Sequence, residues 1–120
     1  MIDNNSIVTS PFGVQKIGKD KSPVLPKEKD PSFNLRDRLN DTLLSEKYVI
    51  EGYTIGSKEI LDEELYNTVI KNLSNLKQVQ RSLFEELFNL GEYQADIATP
   101  LQISDTLDVF TKYKVQLPYS

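Results

Sequence analysis

A chain of 120 residues suffices for one small domain, and 38% hydrophobic with 27% charged residues is ordinary globular usage. Cysteine and histidine are both absent, which excludes disulfides, thiolate nucleophiles, imidazole bases and the commonest transition-metal ligands. A net charge of −4 argues against a general nucleic-acid binder, and no stretch approaches the roughly 18 apolar residues of a membrane span.

Residues 1–32 read as a flexible or extended N-terminal arm. Pro11, Pro23, Pro26 and Pro31 break any long helix, and the run from Lys16 to Pro31 is polar and lysine-rich. Ile7, Val8, Phe12, Val14 and Ile17 are too scattered to form a core alone. An alternative is an arm that docks on a neighbouring subunit through Phe12 and Val24-Leu25. The first residues have neither the basic start nor the apolar run of a secretory signal, so synthesis in the cytosol is expected. The arm holds five lysines against four acids, whereas 33–120 hold nine basic residues against fourteen acidic ones.

Residues 33–94 predict an antiparallel pair of long helices. The first starts near Ser32 or Asn34 and runs to about Ile60, with Leu35, Leu39, Leu43, Val49, Ile50, Tyr53, Ile60 and Leu61 on one face. Leu44, Tyr48 and Ile55 fall on nearly the opposite side. Asp62 caps the second helix, and Glu63 and Glu64 suit its positive end. Its stripe runs Leu65, Val69, Leu73, Leu76, Val79, Leu83, Leu87 and Leu90, and Tyr66, Ile70, Phe84 and Phe88 widen it to about half the circumference. Gly91 sits where a C′ glycine belongs. A short turn makes the helices neighbours.

Residues 95–120 predict a third helix and a tail. Thr99-Pro100 suits a cap followed by proline, Ile103, Leu107 and Phe110 share one side, and the helix ends near Tyr113. The closing stretch from Lys114 reads as extended. The fold class is therefore all-α: a helical hairpin, half of a four-helix bundle, with a short C-terminal helix and an N-terminal arm.

No catalytic set is evident. A ferritin-like di-iron site needs a Glu from each of two helices and a Glu-x-x-His pair from each of the others. Glu46 lies in the apolar stripe of the first helix, but Leu76 to Arg81 on the second offers neither acid nor histidine. Glu46 is better explained as bonded to a polar partner in a buried seam, with Asn72 and Gln80 the nearest candidates on the second helix. No cofactor is expected. Gly52 and Gly56 form a GxxxG with Ser45 on the same side, consistent with close approach by another helix or the arm, or with a tolerated irregularity. The surplus apolar face predicts a homo-oligomer, with Tyr66, Ile70, Phe84, Phe88, Leu44, Tyr48 and Ile55 at the contact and Phe84 and Phe88 at its centre.

The stretch Asp41 to Lys47, with Tyr53 seven residues after Glu46, resembles the first helix of the spore coat F (CotF-like) family. Gln80 to Tyr93 resembles that family's second helix and its Gly-Trp-Tyr ending, with Glu92 where the family usually has tryptophan. The resemblance covers about half the chain, from Phe33 to Gln94. It implies a ferritin-like hairpin without a metal centre, in a structural protein of an endospore-forming bacterium. Such a protein is made in the mother-cell cytoplasm and assembles with other spore coat proteins. Two other readings remain: a non-enzymatic cytoplasmic adaptor outside the coat, and a degenerate ferritin-like metal protein.

Overall fold

The structure, a computed structural model, describes residues 1–26 and 31–118. In chain order it comprises β1 (Ile7–Thr9), β2 (Gln15–Ile17), α1 (Leu35–Ser57), α2 (Glu63–Asn89), β3 (Ala95–Asp96) and α3 (Pro100–Tyr113), followed by a 3-10 turn (Lys114–Gln116).

The helices begin where side chains satisfy their first amides. The Asn34 side chain accepts from the Asp37 N–H, and Asp37 accepts from the Asn34 N–H in return. The Asp62 carboxylate accepts from the Leu65 N–H at 2.7 Å. Thr99 and Gln102 form a second reciprocal box, with Pro100 at the first helical position. The first helix stops at Ser57, so Ile60 and Leu61 belong to the connection 58–62. That connection returns α2 antiparallel along α1. Leu39, Leu43, Ile50 and Tyr53 turn toward the seam, as the apolar periodicity requires.

The chain departs from an all-α fold before α1. Within residues 1–26, β1 and β2 pair antiparallel, with Ile7 opposite Ile17 and Thr9 opposite Gln15. Ser10 and Val14 close the turn: the Ser10 N–H donates to the Val14 carbonyl at 2.8 Å, and Gly13 takes φ +82°. β3 adds to β2, with Lys16 opposite Asp96 and Ile17 opposite Ala95, and the Lys16 ammonium lies 3.5 Å from the Asp96 carboxylate. The turn preceding β1 is drawn together by Asp3, whose carboxyl is held below its ordinary pKa by hydrogen bonds from the Asn5 N–H and the Ser6 hydroxyl. The stretch expected to be an arm thus carries two strands and a hairpin turn. Its lysines Lys27 and Lys29 lie outside the described residues. The expected extended ending is also corrected: after Tyr113 the backbone tightens into the 3-10 turn.

The core sits at one end of the hairpin, where α1 begins and α2 ends. Leu25, Leu43, Leu87 and Phe88 are the buried apolar side chains among the described residues. The Ser22 N–H donates to the Leu90 carbonyl at 2.9 Å, which ties the N-terminal segment to the end of α2. Gly91, at φ +75°, permits this approach: a Cβ there would land on the Asp20 carbonyl. Toward the other end burial fades, and Ile55, Leu61 and Leu65 are exposed.

Candidate functional site

Two features stand out on this frame, an ion pair at the closed end and a large uncovered apolar surface elsewhere. Arg36 is in the first turn of α1, and Glu92 follows α2. Arg36 Nε lies 2.7 Å from Glu92 Oε2, and Nη2 donates to Oε1 at 2.8 Å. The side chains are 15% and 9% exposed, so the two-pronged contact is largely shielded from water. Nη2 also donates to the Pro26 carbonyl. One guanidinium therefore joins the N-terminal segment, the start of α1 and the end of α2. Glu92 is the position where the resemblance calls for tryptophan, and here it carries an ion pair.

The residues expected at an oligomer contact separate into two groups. Phe88 is 3% exposed within the single chain, and Phe84 is half-buried with its ring centroid 4.5 Å from that of Tyr93 in an edge-on contact. Arg81 covers the same ring at 5.7 Å. Tyr93 and Arg81 cover the Phe84 ring and Phe88 is buried at the closed end of the hairpin, so neither stands at the centre of an open face. Leu44, Tyr48, Ile55, Tyr66 and Ile70 remain exposed. Of the expected polar seam, Glu46 and Gln80 are half-buried and Asn72 is exposed. No hydrogen bond joins these three among the described residues, and Glu46 Oε2 is shut off from solvent without a partner. Gly52 and Gly56 face open space, and among the described residues no segment of the arm or other helix approaches them.

α3 begins at its Thr99-Pro100 cap and stands apart from the hairpin. No Cα of α3 comes within 8 Å of α1 or α2, and Leu101, Ile103, Leu107 and Phe110 are all exposed. The radius of gyration is 20.0 Å, against about 14 Å for a compact chain of this length. The accessible surface is 9715 Å², whereas a compact monomer of 13.7 kDa exposes about 6,600 Å².

Chemically the surface is bland. No cluster of acids suited to a metal ion occurs among the described residues, and no described helix is long and apolar enough to cross a membrane. What the surface offers is apolar area on helices.

A Coat F domain matches residues 34–96, more than half of the sequence and the whole of the α1–α2 hairpin. The chain belongs to the Coat F family. This family is a structural one of the bacterial spore coat, which places the protein in a coat context. A curated relative from Bacillus subtilis (strain 168), named Uncharacterized protein YusN, is 26% identical over 106 residues, spanning 88% of this chain and 94% of the relative. The similarity to that protein therefore extends past the Coat F hairpin into the flanking segments. No solved structure matches.

Proposed function

We propose that this Coat F protein is a non-catalytic assembly component of the spore coat that works by self-association of its helix faces. It is made in the mother-cell cytoplasm and incorporated into the coat alongside other coat proteins. The observation that carries this reading is the surplus of surface: 9715 Å² accessible, roughly 3,100 Å² above a compact monomer of the same mass. At about 25 cal/mol per Å² of apolar area, even part of that surplus is a strong drive to associate. Exposed Leu44, Tyr48 and Ile55 on α1, with Tyr66 and Ile70 on α2, form the contact surface. Glu46, whose Oε2 lacks a partner, faces the α1–α2 seam on the other side of the same helix and takes no part in this contact. A helical bundle shared between two chains is the architecture this reading implies.

Fractionation of purified spores tests it. The protein should be recovered in the coat extract, resistant to release until coat proteins are solubilised. Recovery only from mother-cell cytosol, with none in coats, would replace it with a cytoplasmic adaptor.

A further inference from the structure

We propose that α3 is an exchanged helix: it leaves its own hairpin and packs its Ile103–Leu107–Phe110 side on the Leu44–Tyr48–Ile55 side of α1 in a second copy, and receives that copy's α3 reciprocally. The inference rests on the self-association reading above and specifies its geometry.

The two stripes match. At about 100° per residue, Leu44, Tyr48, Glu51 and Ile55 fall within a narrow band on α1, and Ile103, Leu107, Phe110 and Lys114 do so on α3 and its 3-10 extension. Tyr48, Ile55, Leu107 and Phe110 are each about two-thirds exposed, at 65%, 67%, 66% and 66%. Between its end residues, 44–55 on α1 and 103–114 on α3 and its extension, each band carries one charge, and the charges are opposite. Glu51 and Lys114 are both exposed, and neither forms an ion pair among the described residues. An open groove of about 680 Å³ also runs along this side of α3, lined by Ile97, Ala98, Ile103, Leu107 and Phe110 with Asp96 and Gln102 at its polar positions. Such a groove accepts a ridge of large side chains like Leu44 and Tyr48.

Area favours exchange over a simple face-to-face contact. A standard interface removes about 800 Å² per partner, a fraction of the roughly 3,100 Å² surplus. Reciprocal exchange covers each chain twice, once where it gives α3 and once where it receives one. β3 is pinned to β2, so the chain between Asp96 and Thr99 acts as the hinge. A closed two-fold pair satisfies both donor and acceptor without leaving an open end.

The test is sedimentation of the unmodified protein and four variants. Phe110→Glu should raise the dimer dissociation constant at least thirtyfold while leaving the helical circular-dichroism signal unchanged. Glu51→Lys and Lys114→Glu should each weaken the dimer several-fold, and the two reversals combined in one chain should restore it to within about twofold. A dimer of unaltered affinity in Phe110→Glu would show that the chain self-associates without α3, which overturns the exchange and leaves the functional reading standing. A wild-type protein that is monomeric throughout would remove both. Failure of the combined reversal to recover would overturn the pairing even if Phe110→Glu disturbed folding. Because the chain lacks cysteine, Tyr48→Cys in one chain and Leu107→Cys in a longer tagged chain report the partner directly. Exchange predicts a mixed-mass disulfide product; a link formed only within one chain carrying both substitutions would place α3 on its own hairpin.

Discussion

Replacing Glu92 with alanine should strip the closed end of the hairpin of its central tie. Removing one partner of a buried ion pair costs about 3–5 kcal/mol, because the other charge is left uncompensated. Arg36 keeps 15% side-chain exposure and its bond to the Pro26 carbonyl, so the lower end, about 3 kcal/mol, is expected here. Against a total of about 5–15 kcal/mol for a typical domain, that is a large share. Urea unfolding followed by helical circular dichroism measures it, in a cycle with Arg36→Met and the double substitution. The coupling between the two positions should be at least about 1.5 kcal/mol. Arg36→Lys should recover little, since an ammonium cannot reproduce the two-pronged contact. A coupling under about 0.5 kcal/mol would show that the pair behaves as a solvent-screened surface contact and refute the assignment of Glu92 as an anchor.

Gly91→Ala should destabilise by about 2 kcal/mol or more, combining left-handed strain with a clash on the Asp20 carbonyl, and thermal unfolding reports it. Phe88→Ala should cost about 3–5 kcal/mol as a core truncation, whereas Tyr48→Ala should leave monomer stability within about 0.5 kcal/mol and weaken association instead. Glu46→Met should be neutral or stabilising by about 1 kcal/mol in dilute protein, since it removes an acceptor that has no partner.

The three helices were legible because each is announced by local chemistry: Asn34, Asp62 and Thr99-Pro100 at the starts, Gly91 past the end of α2, and an apolar repeat between them. The sheet was not, because β1 and β2 are three residues each and β3 only two. An alternation that short is lost among prolines and lysines, and the β2 partner Ala95-Asp96 lies some eighty residues away in sequence. Gly13, two residues after Pro11, was the one local hint of a hairpin turn. The interface expectation split for a related reason. Periodicity marks Phe84 and Phe88 as surplus to a two-helix seam, but it cannot show that residues 18–26 and Tyr93 return to that end of the hairpin. Glu92 stood out only as a departure from the family pattern. Its meaning depends on Arg36, fifty-six positions earlier.

The central claim is that this chain is completed by another copy of itself. Sedimentation equilibrium of the unmodified protein over a wide concentration range measures that directly. The account predicts a dimer that persists into the low micromolar range and dissociates without loss of α1 and α2. A monomer at every concentration up to high micromolar, with a radius of gyration contracted toward that of a compact domain, would contradict it and return α3 to the hairpin of its own chain.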